Sequence, residues 1–378
     1  MRTGIADFTL DWGRCPPWLF ERMTRLARAI GIAIIQELGT EEFLKRLADP
    51  VWFQSFGCVL AFDWNASGLT TTTLGALKVA FRGLEKDLGV FVCGGKGKTS
   101  RKTPQEIKNW GWRLALAEEK IKRFEYSSRA AAKVDSSLIQ DGFQLYHHNF
   151  IFNKKGQWVV VQQGMNLQKA RARRYHWFGD EQKELIEEPH TGIASQIFLT
   201  KVLDLTSSKS KENRAVATKL IQSSKTLLKD LKILNNHQPR WQFKILSLPG
   251  IEFHHHPVEQ EFVNFESPQF KRAINQAIIA QPNNFEKLLM VRGVGPKTIR
   301  AISLVAEIIY GAKPSYEDPA RYTFAHGGKD GTPYPIDKKL YDQSLAVIEK
   351  ALRQTRGLTI KEKSQTLWRL KKFFPNQD

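Results

Sequence analysis

The feature that most constrains the fold is a change of apolar period along the chain. Between residues 17 and 48, Trp18, Phe20, Met23, Leu26, Ala27 and Ile30 recur at three- and four-residue spacing, and Glu41 to Leu47 repeats this helical pattern after Gly39. From Phe143 to Phe152 and from Gln157 to Gln163 the residues alternate instead, around Asn153-Lys154-Lys155-Gly156, as a β-hairpin requires. Beyond Ser267 the helical period returns, except between Gly311 and Pro335. At 378 residues the chain exceeds what one core usually serves. The expectation is an α+β protein with a mixed α/β domain over 1–205, a basic helical connector over 206–258, an all-helical domain over 259–360 and a basic tail over 361–378. The first boundary rests on the polar run Thr206 to Lys211, whose composition is that of a flexible linker.

In more detail, apolar stretches at Val51 to Phe62 and Gly89 to Cys93 are expected as buried strands with a helix at Leu74 to Leu84 between them. One long helix is expected from Pro104 to Tyr126, opened by Thr103-Pro104-Gln105-Glu106. A basic helix follows over 212–233, an irregular segment over 249–257 and a further helix over 338–354.

Charge narrows the partners. The chain carries 57 Lys and Arg against 38 Asp and Glu, a formal net charge of +19. That balance favours a polyanion, nucleic acid first, without separating DNA from RNA. The 3 cysteines, Cys15, Cys58 and Cys93, lie far apart, which fits a reduced cytoplasm better than a disulfide framework. The N-terminus lacks the apolar stretch of a signal peptide and no run of eighteen apolar residues occurs, so neither secretion nor membrane spanning is expected.

The most informative segment runs from Phe285 to Thr298. A short helix ends near Met290, Gly293 and Gly295 are expected to take positive φ in a tight turn, and Pro296 opens a second helix with Val294 plugging the pair. Two residues without side chains let main-chain N–H groups reach phosphate oxygens, the dipole of the second helix favours the charge, and Lys297 and Thr298 can add contacts. Val291 to Thr298 resembles the hairpin of the helix-hairpin-helix base-excision DNA glycosylases. That resemblance implies removal of damaged bases. It also implies, by position, Lys297 as the nucleophile that attacks the sugar and Asp318 as its supporting carboxylate. The simpler alternative makes Lys297 a phosphate contact and Asp318 a helix cap.

Asp49-Pro-Val-Trp-Phe-Gln54, Phe62 to Gly68, Gln162 to Asn166 and Phe324 to Gly331, with the N-terminal Met1 to Asp7, make nearly the whole chain through Asp342 similar to another family. It is the uncharacterised one called domain of unknown function 763, found in archaea and bacteria. It implies no activity.

Polar clusters supply the remaining candidates. Val92 to Thr99 departs from a nucleotide-binding loop because Val92 stands where glycine is needed, so no nucleotide cofactor is expected. Lys96, Lys98, Arg101 and Lys102 instead suggest a mobile basic loop that closes on a nucleic-acid backbone, or a solvated loop. Lys133, Asp135, Gln140, Asp141 and the hairpin form the richest cluster. If Asn153 pairs with Gly156, His147 faces Gln162, His148 faces Val161, and His147 and Asn149 share a polar face. Asp135, Asp141 and His147 then become candidate ligands for Mg or Mn activating water, with Lys133, His148 and Gln162 as further catalytic candidates. Structural, hydrogen-bonded histidines are the alternative. Arg173 and Arg174, with Lys169 and Arg171, lead into Tyr175-His-Trp-Phe178, where bases could stack while cations take phosphates, or where aromatics simply anchor the core. The consecutive His254, His255 and His256 cannot share one strand face and are expected in a loop.

Three functions fit: a metal-dependent nuclease of DNA-repair type, a glycosylase/lyase using Lys297 and Asp318, or a non-catalytic architectural DNA- or RNA-binding protein.

Overall fold

The computed structural model describes residues 15–60, 67–195, 198–237, 265 and 267–320. The segments 249–257 (with His254 to His256), 324–337, 338–354 and 361–378 lie outside the described residues.

Four helices, the last a single turn, open the described chain. α1 (Pro17–Ala48) is bent at Gly39, whose φ of 87° no helix continues through. α2 (Pro50–Val59) stands where a strand was expected. The Asp49 carboxylate accepts from the Val51 and Trp52 amides at 2.7 and 3.2 Å, and Pro50 occupies the first turn. A capped N-terminus with Pro just inside it decides for helix, where an apolar run buried on several sides has no readable period. α3 (Gly68–Ala80) and the single turn α4 (Glu85–Leu88) lead to β1 (Val90–Lys96) and a 3₁₀ turn over Gly97–Lys102.

The long helix expected from 104 to 126 is two: α5 (Thr103–Arg113) and α6 (Glu118–Ser137). Between them Ala115 takes φ 51°, and the Leu116 amide bonds back to the Gly111 carbonyl at 3.0 Å. This is a left-handed C-cap without its usual glycine, at a cost of about 1 kcal/mol. The reversal packs the helices closely, since a Cβ on Gly111 would lie 2.5 Å from Ile121.

The strands that follow are β2 (Ile139–Gln140), β3 (Gln144–Asn153), β4 (Trp158–Asn166), β5 (Arg171–Gly179), β6 (His190–Ser195) and β7 (Leu203–Asp204). The main sheet is antiparallel in the order β1-β3-β4-β5-β6, and β2 pairs with β7 beside it. Its β3–β4 register differs by one from the expected one. The Asn153 amide bonds the Gln157 carbonyl at 3.0 Å while the Asn153 side chain accepts from the Lys155 and Gln157 amides, so the turn is one residue longer. His148 therefore faces Gln162, and His147 faces Gln163. In a strand such a slip transfers partners between faces, so His147 and Gln162 lie on opposite sides of the sheet.

Each sheet face has its own helices. Val90, Val92, Ile151, Val159 and Val161 pack against residues of α1, α2 and α3. Phe91, Phe150, Phe152, Trp158, Val160 and Trp177 meet α5 and α6 in a core that continues into the C-terminal helices through Leu220, Leu288, Val294 and Ile302. Those helices are α7 (Lys211–Gln222), α8 (Ser224–His237), α9 (Pro268–Ala280), α10 (Phe285–Met290) and α11 (Pro296–Ile308). The architecture is α+β. The run read as a flexible linker is packed: Thr206 and Ser210 are buried, and the Ser210 hydroxyl bonds the Asp204 carbonyl and receives the Ser315 amide. Among the described residues no helix is long and apolar enough to cross a membrane.

Candidate functional site

The α10–α11 turn forms much as its residues require. The Asn284 side chain caps α10 by accepting from the Lys287 amide at 2.8 Å. Gly293 takes φ 88°, and Val294 is buried between the two helices. Gly295, expected with positive φ, is extended at φ −146° and ψ −169°, and serves as the N-cap residue of α11 with no side-chain cap bond and Pro296 just inside. Gly293 and Lys297 are exposed, as are Lys287 and Arg292 beside them. Burial of part of the Lys297 side chain lowers its pKa. Thr298 is buried, so its hydroxyl is not the outward contact the sequence suggested.

α6 and β2 hold this turn from behind. The Lys133 ammonium donates to the carbonyls of Leu289 and Val291, the second at 2.9 Å, and Gln140 donates to the Pro296 carbonyl at 2.9 Å. Lys133 thus satisfies the Leu289 carbonyl at the end of α10 and adds a second donor to the Val291 carbonyl, which also accepts from the Val294 amide at 3.2 Å. Burial brings its pKa down to about 8.

The three expected metal ligands do not converge. Asp135 accepts from Gln162, from the Trp177 indole at 3.0 Å and from His190 at 2.5 Å. Asp141 accepts from Arg173 at 2.9 Å, from the Tyr175 hydroxyl at 2.7 Å and from the Phe143 amide at 2.9 Å. Burial raises the Asp141 pKa to about 6 against the pull of Arg173 and these donors. His147 is buried on the opposite sheet face, where neither ring nitrogen has a hydrogen-bond partner among the described residues. Burial lowers its pKa to about 3. Among the described residues no group of three or more His, Cys, Asp or Glu is placed to hold a metal ion.

Arg173 and Arg174, expected on phosphates, are both fully buried. β5 lies between β4 and β6, with helices over both faces, so successive side chains enter the two cores. Arg173 joins Asp141 to Asp318, gripping Asp318 through two nitrogens at 3.0 and 2.8 Å. Burial opposes the Arg173 charge, but the two carboxylates hold its pKa raised. Arg174 reaches Gln54 at 2.9 Å, Thr70 at 3.2 Å and His176 at 2.8 Å, and burial lowers its pKa to about 9. Tyr175, His176 and Trp177 are equally buried, so the expected base-stacking strip is core. Both Asp318 oxygens are occupied, by Arg173 and by the Leu199 and Ala320 amides, which leaves none for Lys297.

The segment expected as a mobile basic loop is the end of β1 and a 3₁₀ turn, with its cations exposed as a rim. Lys96, Lys98, Arg101 and Lys102 are all exposed along the end of β1 and the 3₁₀ turn. The glycines before them serve the backbone: Gly94 has φ 94°, and a Cβ there would lie 2.2 Å from the His148 carbonyl oxygen. Glu106 anchors the bend by accepting from the Gly94 amide at 2.8 Å and from Lys78 at 2.6 Å.

Behind the rim runs a buried polar chain that sequence reasoning named only in part. Ser128 Oγ lies 2.9 Å from His148 Nε2, His148 Nδ1 lies 2.7 Å from Gln162 Oε1, and Gln162 Nε2 donates to Asp135 and to the Ala131 carbonyl. Ser128 and His190 were missed. Serine within a helix carries no sequence signal, and the His190 contact joins residues far apart in the chain.

The model of the family described as "Protein of unknown function (DUF763)" matches residues 4–336. No curated protein and no solved structure matches the chain.

Proposed function

The chain belongs to the DUF763 family, and with no activity attached to that description we propose, from the residues themselves, a DNA-binding protein that grips the sugar–phosphate backbone at the α10–α11 turn. One observation carries the reading. Gly295 has an extended backbone that any residue adopts, and a Cβ there would meet nothing within 4 Å. Neither conformation nor internal packing asks for glycine at this point. What its missing side chain provides is clear approach from outside to the uncapped amides at the start of a 13-residue helix. Gly293 differs, because its positive φ is a conformational requirement.

The surroundings support an anion there. Lys297, Lys287 and Arg292 are exposed around the turn, and the chain carries +19. Backbone amides and lysines recognise phosphate without reading bases, so the binding follows the polymer rather than a sequence.

The two enzymatic readings tied to specific residues lose their geometric support. A water-activating metal needs Asp135, Asp141 and His147 together, and they occupy three separate environments. Glycosylase/lyase chemistry needs Asp318 beside Lys297, and its oxygens are already engaged.

The test is an anisotropy titration of a labelled duplex across a salt series. Log affinity should fall linearly with log salt, and Lys297→Gln should make that slope shallower by about one. A Lys297→Gln protein with wild-type affinity and slope would remove the reading. Duplex RNA as competitor in the same titration separates the two polymers.

A further inference from the structure

We propose that Ser128 and His148 form a nucleophile–base pair, oriented by Gln162, that cleaves a phosphodiester held against the basic rim of residues 96–102. Only the identity of the substrate rests on the nucleic-acid reading above; the pair itself stands on its own geometry.

The hydrogen-bond chain fixes the protonation pattern. Gln162 Nε2 faces two acceptors, the Ala131 carbonyl at 3.1 Å and the Asp135 carboxylate, so the amide must turn its oxygen toward His148. An oxygen 2.7 Å from His148 Nδ1 requires that nitrogen to carry the hydrogen. Nε2 is then the bare nitrogen, and at 2.9 Å it accepts from the Ser128 hydroxyl. A serine donating to a neutral imidazole whose other nitrogen is held by an amide is the arrangement that nucleophilic catalysis requires. Burial lowers the His148 pKa, which keeps the ring neutral and able to take a proton. Asp135, one amide further on, favours the charged ring once the proton has moved. It is itself held by Trp177 and His190, so the chain ends on a side chain fixed in position.

Access and charge point to the substrate class. Ser128 and His148 line a cleft of about 250 Å³ together with Ser100, Arg101, Thr103 and Arg129. The N-terminal end of α5 opens onto it at Thr103 and Pro104, and its dipole favours a negative group. Lys96, Lys98, Arg101 and Lys102 stand exposed along the rim, as a backbone-tracking strand would need.

The step balances without a metal or a redox partner. Ser128 Oγ attacks phosphorus as its proton passes to His148 Nε2. The bond from phosphorus to the leaving oxygen breaks, its electron pair stays on that oxygen, and the oxygen, opposite Ser128, takes a proton from solvent. Water then attacks the phosphoserine from that side and loses a proton to solvent, and Ser128 leaves as His148 returns its proton to Oγ. The net reaction is hydrolysis of a diester to a monoester and an alcohol.

The full chain is treated with a fluorophosphonate probe in the presence of chelator, the adduct is located by mass spectrometry, and bis(p-nitrophenyl) phosphate turnover is followed in parallel. The expected result is one adduct on Ser128, absent from Ser128→Ala. In His148→Gln both labelling and turnover should drop by at least about a hundredfold. Gln162→Leu should shift the pH profile of labelling, which a merely structural residue would not do. Neither probe needs the α10–α11 turn, so failure here and failure of DNA binding are distinguishable. Wild-type protein that takes no label on Ser128, or diester turnover unchanged in Ser128→Ala, overturns the proposal, and the wild-type result does not depend on any variant folding.

Discussion

Replacing Gly295 with aspartate should move stability and DNA affinity in opposite directions. The backbone is already extended and a Cβ meets nothing within 4 Å, so the side chain enters without strain. Aspartate is among the best N-cap residues, ahead of glycine by a few tenths of a kcal/mol, and a carboxylate at a helix N-terminus adds about 0.3–1 kcal/mol. The fold should therefore gain up to about 1 kcal/mol. Binding should suffer because the new carboxylate accepts from the amides assigned to phosphate. Losing one charge-assisted bond costs about 1.5–3 kcal/mol. Repulsion between carboxylate and phosphate adds roughly 1 kcal/mol at about 4 Å in high dielectric. The total of about 3 kcal/mol corresponds to a loss of about a hundredfold in affinity. Denaturant titration measures the first quantity and anisotropy with a labelled duplex the second. A variant that is folded and at least as stable, yet binds duplex like the wild type, would refute the assignment of the Gly295 amide region to phosphate.

Three further outcomes follow from the same geometry. Gly293→Ala should destabilise by about 1–2 kcal/mol in denaturant titration, because its φ of 88° is costly for any residue with a Cβ. Arg173→Met should cost about 3–5 kcal/mol, since Asp141 and Asp318 would remain buried without their cation. The deficit should shrink toward acid pH as Asp141, already raised to about 6, becomes neutral. His147 has a folded pKa near 3, below its unfolded value, so the unfolded chain binds the extra proton between about pH 6.5 and 3. Its contribution is intact above pH 6.5 and is lost as pH falls, by about 1.4 kcal/mol per pH unit. His147→Phe should flatten the acid limb of stability against pH while keeping the neutral fold, and an unchanged limb would contradict the buried neutral ring.

What was legible in the sequence was what a single segment determines. The α10–α11 turn was readable because Gly293, Val294 and Pro296 each have one suitable place around it. The α2 segment was misread although Asp49 and Pro50 announced a helix, because the apolar run behind them has no period. The α5–α6 break was hidden because its left-handed residue is Ala115 rather than glycine. The hairpin register turned on the side chain of Asn153 closing a longer turn, a one-residue difference that moved His147 away from Gln162. The fates of Arg173 and Arg174 were illegible for a different reason: basic residues in sequence read as surface. Only the placement of β5 between two strands and two helical layers reveals their partners, Asp141, Asp318, Gln54 and Thr70. The Ser128–His148 pair is of the same kind, since a helix and a strand must be packed before it exists.

Amide hydrogen exchange, read peptide by peptide with and without duplex DNA, probes the backbone grip itself. Slowed exchange should appear across residues 292–298 when DNA is added, and should vanish at high salt with the affinity. Bound DNA that slows exchange elsewhere while leaving this turn unchanged would contradict the account.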